Sequence, residues 1–342
     1  MILWMDSFDA ISTMAQKYDF NFNTSITTDG PFGDSALALT NTDHNAQKNL
    51  PTSYGPTFIM GCRMKFNSYS GDAPLFSLFD GASSQVDIRP VIVGSTIKLY
   101  VTRNGTTLGT GSIVMTTAIW YYVEFKVTIH DSTGIVVTRI DGVTDLNLSG
   151  LDTKNTSNAT ANMFRLGHNA GGTRDVRITD FILMDGVDSG VTGFPNNDFI
   201  GDIRVQALYP NADGTTSQMV GSDGNSTSNY LLVDEATPND DTDYVETLTV
   251  GNKDTYNYGS LSAGTGLVYG IQINARARKT DAGTRKFKLL SRFSGTEIET
   301  GPEKILSLSY QNFYDIREAD PSGNPWDISS VNAMEAGAKL TT

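Results

Sequence analysis

The 342-residue chain has one cysteine, Cys62, so no disulfide within it can staple the fold. It has no apolar run near the roughly 18 residues that a membrane-crossing helix needs, so membrane insertion is not expected. Basic residues number 25 against 38 acidic ones, a net charge of −13, and the Lys and Arg residues form no stripe. A nucleic-acid groove or an anionic bilayer surface would need such a stripe, so neither is an expected partner. The three histidines, His44, His130 and His168, lie far apart beside turn residues, a spacing that supplies neither a catalytic triad nor a zinc site. The first nine residues, Met1 to Asp9, lack the basic start and apolar stretch of a signal peptide, and synthesis in a cytoplasm is the expectation. Sequons begin at Asn23, Asn104, Asn147, Asn155, Asn158 and Asn225; in a chain rich in Asn, Ser and Thr, chance accounts for them.

What is present is strand pattern. Only 18% of residues are charged, while 39% are hydrophobic and 10% aromatic, a composition that folds. Val123, Phe125, Val127 and Ile129 alternate, as do Val136, Thr138 and Ile140 after a turn at Asp131, Ser132 and Gly134. A period of two places one face of each strand in a core. Asp141-Gly142 and Asn104-Gly105 are turn pairs that accept positive φ. The run from Trp120 to Val143 resembles the concanavalin A-like, laminin G-like jelly roll, and that resemblance implies a fold used more for binding and building than for catalysis.

Short strands every eight to twelve residues predict a sandwich. The expected elements are Ile2–Phe8, a helix over Ala10–Tyr18, then Ala36–Thr40, Phe58–Phe66, Leu75–Phe79, Val86–Val93, Ile97–Val101, Ser112–Met115, the Trp120 hairpin, Phe164–Leu166 and Val176–Met184. The Gly-, Pro- and Asn-rich stretch Asp185–Asn197 reads as a boundary, giving a jelly roll over residues 1–190 and a second β-sandwich over 191–342. Strands are expected there at Ile203–Leu208, Tyr230–Val233, Tyr244–Val250, Gly266–Arg278, Lys286–Arg292 and Ile305–Ile316. The tail Ile328–Leu340 reads as a short helix capped by Ser329 or Ser330, with Val331, Met334 and Ala338 on one side.

The order of segments over nearly the whole chain resembles a virion protein family of tailed bacteriophages and prophages. The segments that carry it are Trp4–Asp9, Gly105–Gly109, Trp120–Val127, Thr153–Asn162, Asn197–Val205, Pro210–Gly214, Val233–Glu235, Asp240–Val245, Asn274–Gly283 and Asp320–Trp326. The resemblance implies a virion location, with other virion proteins and copies of itself as partners. It leaves open a position on the tail or on the capsid.

Hydrolases on this jelly roll carry alternating carboxylates on one strand, and no such triplet occurs. Glu297 and Glu299 have the spacing, but beside Gly295 and Gly301 they read as a solvent face. Cys62 reads as a small buried hydrophobe. Calcium is the cofactor candidate, with Asn211, Asp213, Asp240 and Asp243 as ligands and Asp223 and Asp241 nearby; the loop starting at Asn211 has Ser222 where a bidentate acid belongs. For glycan contact the candidates by type are Tyr54, Tyr69, Tyr100, Trp120, Tyr121 and Tyr122, although Trp120 and Trp4 read as core, and Trp326 as the pin of the last helix. The resulting expectation is a structural virion component that is not an enzyme. A receptor-binding module for host surface glycans is the alternative, and a glycan-degrading enzyme the next. Subunit contacts are expected on the uncharged stretch Gly266–Ala275, with the acidic turn Asp240–Asp243 pointing outward.

Overall fold

The computed structural model describes residues 1–41, 43–93, 96–168, 173–261, 266–299 and 301–342. They form two compact units, one of Met1–Ser189 with Pro195–Gln206, the other of Gly190–Phe194 with Ala207–Thr342. The chain is all-β, with one short α-helix among the described residues.

The strands of the first unit are β1 (Ile2–Asp6), β2 (Phe20–Phe22), β3 (Ser25–Thr27), β4 (Ala36–Leu39), β5 (Asn45–Tyr54), β6 (Thr57–Tyr69), β7 (Phe76–Asp80), β8 (Ser83–Val93), β9 (Thr96–Arg103), β10 (Thr106–Thr110), β11 (Trp120–Thr128), β12 (Gly134–Ile140), β13 (Val143–Leu151), β14 (Ala161–Gly167) and β15 (Arg174–Asp185). Sheet I runs β13-β12-β11-β6-β15-β4-β3, with β1 also on β15; sheet II runs β10-β9-β8-β7-β14-β5-β2. This is the expected jelly roll. The Trp120 hairpin has the register its alternation required: Val123 faces Ile140, Phe125 faces Thr138 and Val127 faces Val136. The Asn-Gly and Asp-Gly turns take left-handed φ, 46° and 79° at Asn104 and Gly105, 49° and 76° at Asp141 and Gly142. Between the sheets, Phe76, Phe125, Phe164 and Phe181 pack ring against ring at 5.2–6.4 Å, all of them buried.

The second unit contains β16 (Pro210–Ser217), β17 (Val220–Gly221), β18 (Val245–Glu246), β19 (Lys253–Tyr258), β20 (Ile271–Ala277), β21 (Lys286–Phe293), β22 (Thr296–Ile298), β23 (Lys304–Ile305), β24 (Gln311–Arg317), α1 (Ile328–Asn332) and β25 (Glu335–Leu340). Its main sheet runs β16-β19-β25-β21-β22, with β23 also on β21. The β20–β24 ribbon supplies the second layer, with Ile273 packed among Phe287, Leu289, Trp326, Val331 and Met334. The Phe287 and Phe313 rings meet edge to face at 5.0 Å.

Several expectations need correction. Ala10–Tyr18 is a helix only as the 3₁₀ turn Met14–Gln16. The tail is helical for five residues, capped by Asp327, whose carboxylate accepts from Ser330 N at 2.6 Å. After Met334 it becomes β25, a central strand between β19 and β21. Ala338 was read with Val331 and Met334 on one side of a helix, but it lies on a strand, where Ala336, Ala338 and Leu340 alternate by two. Gly337 makes this possible: a Cβ there would sit 1.9 Å from the carbonyl oxygen of Asp254. Tyr230–Val233 falls largely in a 3₁₀ turn, Tyr244–Val250 shrinks to β18, and Gly266–Arg278 to β20. Ile203–Leu208 is not a strand. β20 pairs with β24 alone among the named strands and turns Ile273 into the core of its own unit.

Candidate functional site

The two outer faces of the jelly roll differ. On sheet II, the pairing of β14 with β5 and β7 sets Arg165 opposite Gln47 and Ser77, and Met163 opposite Asn49 and Phe79. Alternation turns Phe164 and Leu166 into the core, so Met163 and Arg165 face outward. A groove of about 600 Å³ lies here, walled on β5 by Gln47 and by Asn49 to Ser53, by Gly81 and Ala82 after β7, and by Asn162, Met163 and Arg165. None of these lining residues is acidic. Arg165 Nη2 donates to Gln47 Oε1 at 3.0 Å, and Gln47 Nε2 donates on to Asn49 Oδ1 at 3.3 Å. Asn162 Oδ1 accepts from Gly81 N at 3.0 Å, which fixes the amide with its NH₂ as the available end. The Arg165 guanidinium lies 4.5 Å from the centre of the Phe79 ring, and the His168 ring lies parallel to Phe79 at 6.3 Å. Burial pushes the Arg165 guanidinium below its ordinary value, and Asp87 opposes that. The Asp87 carboxylate is itself taken by Ser84 at 2.6 Å, Arg89 at 3.3 Å and Thr102 at 3.4 Å.

The outer face of sheet I is covered by the chain itself. Residues 195–206 cross it, and their contacts read in order along the Asn197–Val205 motif. Asp198 pairs with Lys126 at 3.0 Å, and the Phe199 ring lies 4.2 Å from the Arg139 guanidinium. Gly201 N donates to Glu124 Oε1 at 2.9 Å, Asp202 pairs with Arg63, and Val205 N donates to Asp180 Oδ1 at 2.7 Å. Tyr122, Glu124 and Asp180 are buried beneath. Burial raises the carboxyl of Glu124, and raises that of Asp180 from 3.8 to about 6, the latter against the pull of Val205 N and Arg63.

The candidates read from the sequence are not brought together. Asn211 and Asp213 stand on β16 rather than in a loop, and Asp213 accepts from Tyr230 N at 2.9 Å. Asp240 is gripped by Arg276 at 2.6 and 2.9 Å, Asp241 by Arg278 at 2.7 Å and Tyr310 at 2.8 Å, and Asp243 accepts from Asn239 at 2.8 Å. Among the described residues no three His, Cys, Asp or Glu side chains converge as metal ligands. The acidic turn is thus held by cations of its own unit. Glu297 pairs with Lys253 and Glu299 with Lys339. Cys62 is buried between the sheets, its thiol pushed up to about 12 by burial. Tyr69 and Tyr122 are buried, and Tyr121 receives a bond from Thr116 N. Trp120 is not core: it lies half-buried on the outer face, with Lys65 Nζ 5.0 Å from its ring centre. Trp4 and Trp326 are buried, and Trp326 Nε1 donates to Arg317 O at 3.1 Å. Arg165, Gln47, Asn49 and Asn162 were missed. An arginine at mid-strand in the alternation Ala161–Gly167 was the available signal.

No family model and no curated protein matches the chain. Among solved structures it is similar to the alginate lyase Aly36B, with 13% identity over 48% of this chain and 85% of that one, TM-score 0.35. It is similar also to a carbohydrate esterase of the Shiga toxin-encoding bacteriophage phi24B, with 15% identity over 54% and 97%, TM-score 0.39. A third is domain 4 of AbnA, an extracellular arabinanase of Geobacillus stearothermophilus in complex with arabinotriose, with 15% identity over 54% and 94%, TM-score 0.35. The expectation of a chain that is not an enzyme is corrected here. Lyases and an esterase acting on glycans are among the structures it is similar to, so the sandwich gives no ground for excluding catalysis.

Proposed function

We propose that the protein is a component of a tailed-phage particle, made in the host cytoplasm, whose jelly roll binds a glycan of the host surface and whose second unit attaches it. The observation that carries the binding half is the difference between the two outer faces. Sheet I is closed at its centre by residues 195–206, while sheet II keeps a polar groove lined by amide and guanidinium groups. Concave sites with a few convergent polar groups are the default binding sites of a fold. The virion half is supported by the ordered motifs of the chain, of which Asn197–Val205 closes sheet I. Attachment through the second unit is supported by its exposed apolar side chains: Leu248 is 77%, Leu267 66%, Ile305 63% and Leu308 61% exposed.

The test has two arms. Gradient-purified particles, probed with an antibody to this chain, should contain it in a fixed ratio to the major capsid protein. The full chain should bind purified host surface polysaccharide in surface plasmon resonance, with reducing ends followed in the same samples to detect turnover. Absence from particles would remove the virion half of the reading. Failure to bind any host polysaccharide would remove the glycan half.

A further inference from the structure

We propose that the groove on sheet II takes an acidic glycan, a sugar carrying a carboxylate, with Arg165 as its anion-binding group; this rests on the glycan-binding reading above. The first reason is the state of Arg165. Among the described residues it forms no ion pair, and its Nε is buried without an acceptor. Among the described residues its side-chain hydrogen bond goes to a neutral amide, Gln47 Oε1. A half-buried guanidinium left short of acceptors is costly, and an incoming anion is the group that repairs it.

The second reason is that the polar ends around it are donors. Gln47 Oε1 is already taken by Arg165, Asn49 Oδ1 by Gln47, and Asn162 Oδ1 by Gly81. The NH₂ ends of Asn49 and Asn162 are left to join the guanidinium. A wall of donors suits a ligand with clustered acceptors, and a ring carboxylate offers two coplanar oxygens beside the hydroxyls of the sugar. The third reason is that, among the described residues, no aromatic side chain lines the groove: Phe79 is buried under Arg165. Affinity here comes from charge and hydrogen bonds and not from ring stacking.

The full chain is titrated by calorimetry with tetragalacturonate, with its fully methyl-esterified form and with a sulfated neutral tetrasaccharide. The acid should bind at least about tenfold tighter than the ester, as a charge-assisted hydrogen bond implies, and tighter than the sulfated sugar, whose oxygens are tetrahedral rather than a coplanar pair facing the guanidinium. Arg165→Gln should lose about that factor for the acid and much less for the ester. Asn162→Asp keeps the acceptor for Gly81 N and sets a negative charge at the lip; it should abolish binding of the acid even if Arg165→Gln fails to fold. Equal binding of acid and ester overturns the acidic assignment and leaves the glycan reading standing. Tighter binding of the sulfated sugar overturns the carboxylate. If host polysaccharide binds while none of the three probes does, the acidic assignment falls alone; if nothing binds at all, the glycan reading falls with it.

Discussion

Val205 donates its backbone N–H to Asp180 Oδ1 at 2.7 Å, and that bond ties the end of the crossing segment to the middle of β15. Asp180 stands at a left-handed φ of 50°, where the register of β15 on β6 shifts, and its other oxygen accepts from Arg63 Nε at 2.9 Å. Arg63 in turn reaches Asp202 on the crossing segment. A fully buried carboxylate is therefore satisfied only when residues 195–206 lie in place.

Truncation tests this dependence. A fragment ending at residue 206 should be soluble and melt cooperatively. One ending at residue 190 uncovers Tyr122, Glu124 and Asp180, and it should melt lower or bind a hydrophobic dye. Equal melting temperatures in a thermal scan would show that the segment adds nothing.

The pH dependence of Asp180→Asn follows from the raised carboxyl. The folded-state value is about 6 against an ordinary 3.8, so the unfolded chain releases this proton first. The stability this proton confers is complete below about pH 4 and is lost as pH rises to about 6. Asn does not titrate. The variant should gain on the native chain between these values by up to about 3 kcal/mol. Urea denaturation at the two ends of the window measures it; a constant difference would mean that burial does not raise Asp180.

Gly337→Ala should disrupt the second unit. The added methyl group meets the Asp254 carbonyl oxygen at 1.9 Å and is flanked by main chain, which cannot rotate away. Overpacking of this kind costs about 1–3 kcal/mol or more. Calorimetry should show the loss; a variant as stable as the native chain would mean that β19 and β25 can part without penalty.

Removal of calcium should change nothing measurable, because Asp240 and Asp241 already have Arg276 and Arg278 as counter-ions. Arg276→Gln should, by contrast, lower the melting temperature modestly, since the pair is half-exposed and such pairs contribute about 1 kcal/mol or less. A melting temperature that falls with chelator would return Asp240 and Asp243 to the list of ligands.

The sequence by itself determined the β class, the hairpin from Trp120 to Ile140 and the turns at Asn104 and Asp141, because pairing across a short turn depends only on local alternation and on residues that accept positive φ. Its alternation was ambiguous in the tail, where small residues at Ala336, Gly337 and Ala338 fit a helix period as well as a strand, and burial between β19 and β21 decided for the strand. Only the tertiary structure decided the site. Gln47 and Arg165 lie 118 positions apart, and nothing local to either says that β5 and β14 become neighbours. The same holds for Asn197–Val205: the sequence assigns it to the second region, with a strand from Ile203, but Glu124, Asp180 and Arg63 on distant strands supply the partners that bind it to sheet I. Long-range pairing is set by which apolar faces close on one another and which buried polar groups then find partners, and a linear pattern does not carry that information.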